Sequence, residues 1–269
     1  MTTLAHPAPR SLLAELRTRQ PQLFALGMVS LVVLLLCLAA MTLDARQING
    51  VSVWTKPAKF AASFVAWNWT LAWAWGVLAP TARHHPLARV VLWGTLASAG
   101  FELVWITLRG ALGTPSHFAG DPLGGFMYGL MGVGAVMLVA LAAVLGFMVL
   151  RLGDPAQPPA WRRAVGLGLL LGGVAGGVTG VTISVLDGPI IGAPMGDAGT
   201  WPPFHWSRTA GDLRTSHFLG THAMQAVPAV VLLLGARATP AVVGVAALAW
   251  LGLTGAAYSA ALAGRPLMP

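Results

Sequence analysis

Apolar residues along this chain come in long runs, not in alternation, and short polar connections divide the runs. Seven runs are long enough to cross a hydrocarbon core, which takes about 20 apolar residues. They are Leu23–Leu43, Phe60–Ala79, Val90–Leu108, Gly125–Leu150, Ala164–Leu186, Ser216–Leu234 and Val242–Leu262. The sixth is the most polar at its start, with His217, His222 and Gln225, and a shorter helix lining a cavity is its alternative. No segments of about ten alternating residues occur, so a transmembrane barrel is excluded. The pattern predicts an all-α integral membrane protein, a bundle of about seven transmembrane helices. A polar N-terminal segment (1–22) precedes a single transmembrane domain (23–264), and a short C-terminal tail (265–269) follows it.

Composition agrees with the pattern. Hydrophobic residues make up 56% of the 269 positions and charged residues only 9%, against roughly a quarter charged in a soluble domain. The expected partner is therefore the lipid bilayer. The formal net charge of +8 would suggest nucleic acid in a soluble protein. Here the basic residues sit in the connections and form no aromatic-interleaved patch, so nucleic acid is excluded as a partner. The first run exceeds a signal-peptide core of about 7–15 residues and reads as a retained anchor. Cys37, the single cysteine, lies inside that run and offers no disulfide framework.

Connections after the first, third and fifth runs (Asp44–Lys59, Arg109–Gly124, Asp187–Thr215) are rich in charge, Gly and Pro. Those after the second, fourth and sixth are shorter. Nine of the 16 Arg and Lys fall on the N-terminal side and seven on the other. Most of the acidic loop residues fall on that second side as well. The bias predicts a cytoplasmic N-terminus in a plasma or inner membrane of bacterial type.

Candidate chemistry gathers on the second side. Glu102 is the only acidic residue well inside an apolar run, and an intramembrane carboxylate marks a functional site or a buried pair. Arg109, seven residues on, shares its helix face. In the sixth run, a rotation of about 100° per residue puts His217, Thr221, Arg214, Gln225 and His222 on one arc, with Asp212 just ahead of it. A polar arc on a membrane helix faces protein or water. Histidines at i, i+5 stand about 140° apart, which favours different tasks over joint chelation. His117 follows helix-ending Gly110, Gly113 and Pro115 on the same side. Imidazole and carboxylate suit Zn, Cu or Fe. Glu102, His117, His217 and His222 are thus the expected ligands of a transition metal ion or haem, in a metalloprotein with oxidoreductase activity. The bland reading is that each histidine is simply hydrogen-bonded.

Lys56 and Lys59, with Arg109 and Arg214, form the expected anion-binding set for a lipid phosphate, a small-molecule ligand or haem propionates. Snorkelling to headgroups is the alternative. Two further readings are an enzyme or carrier acting on an anionic lipid, and a proton-coupled transporter using Glu102 and the histidines. Trp67 and Trp69 are expected in core packing. His84 and His85 lie on the opposite side, His6 is terminal, and His205 is a reserve ligand.

Pro115-Ser116-His117 resembles the Pro-Ser-Gly-His motif of membrane lipid phosphatases without its glycine. Ser207-Arg208 precedes His217 by a longer gap than in that family's Ser-Arg motif. The departures touch every motif, and no residue role is transferred. The seventh run lacks lysine, which excludes a retinal Schiff base there, and no Gly-rich nucleotide loop is present.

Overall fold

The computed structural model describes residues 11–48, 50–117, 121–193, 200–201 and 204–267. His6 lies outside them. Eight α-helices occur among the described residues: α1 (Leu12–Arg19), α2 (Pro21–Leu43), α3 (Thr55–Trp75), α4 (Pro86–Ala111), α5 (Pro122–Leu152), α6 (Pro159–Val185), α7 (Leu213–Leu234) and α8 (Pro240–Leu262). Each of the seven predicted apolar runs is a helix. Six of them, α2 and α4 to α8, are long and apolar enough to cross a membrane. The run that is not among them is the second, α3, whose helix takes in Lys56 and Lys59 ahead of Phe60 and carries Asn68 in its middle. Residues 12–19, inside the expected polar segment, form α1. Its Arg19 bonds Glu15 and the Trp73 carbonyl of α3.

Helix starts follow from local chemistry. Proline opens α2, α4, α5, α6 and α8, where its missing N–H costs nothing and its fixed φ suits the first turn. Asp121 accepts from Gly124 N, Thr239 from Val242 N and Asp212 from Arg214 N, filling amides that a helix start leaves open.

The outward faces are apolar, with Val29, Leu36, Val104, Phe126 and Leu248 exposed, while Glu102, Asn68, Thr95 and Ser98 are buried. That distribution is what lipid as solvent demands. The main core joins α3 to α7 through Leu71, Val91, Leu145, Leu169 and Met224. Trp67 and Trp69 pack against it.

Glycine sets the closest approach. Gly168, Gly172, Gly176 and Gly180 form a stripe of small residues on α6 that faces α7. An added Cβ would meet Ala223 O at 2.9 Å, Thr221 O at 3.1 Å, Thr221 Cγ2 at 2.7 Å and His217 Cε1 at 3.2 Å in turn. Small residues at four-residue spacing let membrane helices touch backbone to backbone.

The connections sort to two ends. At one, the segment after α3 pairs with that after α5: Ala79 N donates to Leu152 O and Asp154 N to Val77 O. At the other, Arg46 reaches Ala111 O and Lys59 reaches Phe204 O. Three small antiparallel pairs brace this second end: β1 (Gln47–Ile48) with β2 (Val51–Ser52), β3 (Ile190–Ile191) with β6 (Gly211–Asp212), and β4 (Thr200–Trp201) with β5 (Trp206–Ser207).

Candidate functional site

The predicted polar residues collect at this braced end in two groups. The first centres on Glu102. Thr95, Ser98, Glu102 and Arg109 are all buried on α4. Glu102 is 3% exposed, and a Cβ at Gly134 of α5 would lie 3.5 Å from its Oε1. The carboxylate therefore occupies space that glycine leaves, away from lipid. Its Oε1 has no hydrogen-bond partner, as is true of Thr95 Oγ1 and Trp105 Nε1 nearby on α4.

Glu102 and Arg109, although on one helix face, form no ion pair. Arg109 turns to the following connection, where Nε donates to Pro115 O (2.9 Å) and Nη2 to Asp121 Oδ2 (3.0 Å). The reason is local: Gly113 takes a φ of +68° and folds the chain back so that Pro115 and Asp121 meet the end of α4. The charge that does act on Glu102 is Lys56. No ion pair within 4 Å involves either residue among the described ones.

His117 completes this group. Its ring lies between Phe60 of α3 (5.9 Å between centroids) and Tyr128 of α5 (5.5 Å), and its Nδ1 is 3.1 Å from Ser116 Oγ. Burial, reinforced by the Lys56 charge, pushes the imidazole down to about 3. His117 is therefore neutral across ordinary pH.

The second group is built on the start of α7. Asp212, 1% exposed, accepts from Ser207 N (2.9 Å), Arg214 N (3.0 Å), Arg214 Nε (2.8 Å) and Arg214 Nη2 (2.6 Å). Arg214 Nη2 also donates to His205 O. The clasp holds His205 at a φ of +57°, beside an aromatic series in which Phe204 stacks on Trp206, Trp206 meets Phe218 edge to face, and Phe218 stacks on His222. Burial lowers the His205 pKa, and Lys59 and Arg214 lower it further.

His217 and His222 do serve different contacts. His217 Nδ1 meets Gly176 O and Thr179 Oγ1, both at 3.1 Å on α6. His222 Nδ1 meets Phe218 O at 2.8 Å, one turn back on its own helix. A carbonyl accepts only, so each Nδ1 carries the proton and each Nε2 keeps its lone pair. Gln225 Nε2 donates to Thr70 Oγ1 of α3 (2.9 Å), and Thr221 Oγ1 donates to His217 O. The polar arc thus faces protein on α6, α3 and the loop.

No group of three or more His, Cys, Asp or Glu able to hold a metal ion occurs among the described residues. Glu102, His117, His217 and His222 consequently do not share one ligand shell there. Of the four expected anion-binding cations, Arg109 is paired with Asp121, Arg214 with Asp212, and Lys59 donates to Phe204 O; Lys56 enters no ion pair among the described residues. Sequence reasoning missed Asp121, whose signal was its place before Pro122 as a helix cap. It also missed the α6 glycine stripe, which the four-residue spacing announced.

Compared with protein-family models, curated proteins and solved structures, the chain matches none of them.

Proposed function

We propose that this protein is a proton-coupled membrane transporter of seven crossings, with Glu102 the proton-carrying carboxyl and Lys56 its counter-charge. One observation carries the reading: a buried intramembrane carboxylate with an unbonded oxygen and a lysine that acts on it without an ion pair. Such a group is costly unless its charge is used. Protonation removes the attraction to Lys56 and loss of the proton restores it, so one proton biases the contact between α3 and α4. α3 supplies the seventh crossing: its 21 residues span about 31 Å, and its neighbouring segments belong to opposite ends. The N-terminus is assigned to the cytoplasm and the braced end to the outside, following loop charge.

Infrared difference spectra of the reconstituted protein test the reading. A carboxyl C=O band should titrate between roughly pH 4 and 9, the range open to a buried carboxyl, and Glu102→Gln should remove it. A spectrum unchanged by that substitution overturns the proposal.

A second reading, a transition metal or haem centre with oxidoreductase activity, is favoured by the two imidazoles. Metal-ligating histidines tie one ring nitrogen to a carbonyl or carboxylate and bind through the other, the state His217 and His222 adopt. Metal content and absorption of His217→Ala and His222→Ala should change unequally, with His84→Ala as the unaffected control. Full retention in both removes this reading. An activity on anionic lipid at this end is weaker, since two of its four cations are held by aspartates.

A further inference from the structure

At the end opposite Glu102, a recess of about 380 Å³ is lined by Leu150 of α5 and by Pro159, Arg162, Arg163 and Leu167 of α6. Its walls combine leucine with two guanidinium groups. The four ion pairs among the described residues use Arg19, Arg46, Arg109 and Arg214, so neither Arg162 nor Arg163 is neutralised. Arg162 Nε is buried without a hydrogen-bond partner. That donor finds no acceptor among the described residues, an expensive state for a charged group. Asp154, the carboxylate of this connection, is turned away to cap Ala156 N (2.9 Å).

The fold makes room for both side chains. A Cβ at Gly153 would lie 3.1 Å from Arg162 Cδ, and one at Gly244 of α8 would lie 3.4 Å from Arg163 Nη2. The start of α6 has no side-chain cap, so its open amides add partial positive charge at the same place.

We propose that this recess binds a phosphate group, that of an anionic phospholipid whose chains lie along Leu150 and Leu167. Planar guanidinium donors match phosphate oxygens two at a time, and basic pockets between membrane helices on one side of the bilayer suit such headgroups. The site is separate from the Glu102 and histidine groups, and its test does not depend on transport or metal content.

The experiment is a thermal-stability titration of the purified full-length protein. The probes are short-chain phosphatidylglycerol, short-chain phosphatidylcholine and inorganic phosphate. Phosphatidylglycerol should raise Tm saturably and phosphatidylcholine should not. Arg162→Gln with Arg163→Gln should weaken the response about tenfold or more, the loss expected for charge-assisted hydrogen bonds. Arg237→Gln, at the same end but outside the recess, should leave it unchanged. Arg162→Lys, which keeps the charge and loses the fork, serves if the double variant does not fold and should bind with intermediate strength. An equal Tm rise with phosphatidylcholine, or with the double variant, overturns the site. Saturation by inorganic phosphate alone, at the same strength as the lipid, overturns the lipid as its source.

Discussion

Removing the Asp212 carboxylate should unfasten the braced end more than any other single polar substitution there. Asp212 is 1% exposed and receives four hydrogen bonds, two from amides and two from Arg214. Loss of a helix cap costs about 1 kcal/mol. Each charge-assisted bond to Arg214 is worth about 1.5–3 kcal/mol when buried. The Arg214 side chain is 39% exposed, so solvent screens that pair and the lower half of the range applies. Asp212→Ala should therefore destabilise the protein by about 4 kcal/mol. Asp212→Asn keeps one acceptor for the cap and should cost about half as much. Equilibrium unfolding in mixed detergent micelles measures both. Adding Arg214→Ala to Asp212→Ala should cost less than the sum of the singles, because the partner is already unpaired. An Asp212→Ala protein within about 0.5 kcal/mol of wild type, the range of an ordinary surface change, would refute the clasp.

Protonation of His117 provides a pH test. Its folded pKa of about 3 lies below the ordinary value of about 6.5, so the unfolded chain binds more protons between them. Stability should be full above about pH 6.5 and fall as pH drops toward 3. His117→Asn should flatten the slope above about pH 5, where the Asp44 and Asp121 carboxyls, depressed in the folded chain, are ionised folded and unfolded alike, and an unchanged slope there refutes the assignment. Gly173→Ala should cost about 1–3 kcal/mol by overpacking, because an added Cβ runs into the Val139 carbonyl of α5; Gly255→Ala, in open space, should be neutral. Single cysteines placed in Asp44–Lys59 and in Arg109–Gly124, with Cys37 replaced, should react with an impermeant thiol reagent on intact cells. Labelling only after lysis would reverse the proposed orientation.

The apolar runs by themselves determined helices at all seven expected places, since a backbone in hydrocarbon must satisfy its own hydrogen bonds and only a helix does so locally. The runs also marked Glu102 as buried and unusual, but the helices begin two to five residues ahead of them, at Pro21, Pro86, Pro122, Pro159 and Pro240, where proline suits the first turn. Partner choice was beyond them. Arg109 shares a helix face with Glu102, yet the left-handed turn at Gly113 delivers Pro115 O and Asp121 to it first. Arg214 lies on the arc of His217, yet Asp212 two residues away takes its guanidinium. Helical angles place side chains on a face but say nothing about which neighbouring helix or loop fills that face. Only the tertiary structure seated His217 in the glycine groove of α6 and Gln225 on Thr70 of α3. It also separated Glu102 and His117 from the α7 histidines. Those outcomes depend on which helices pack together and how closely, and glycine spacing and loop geometry decide both.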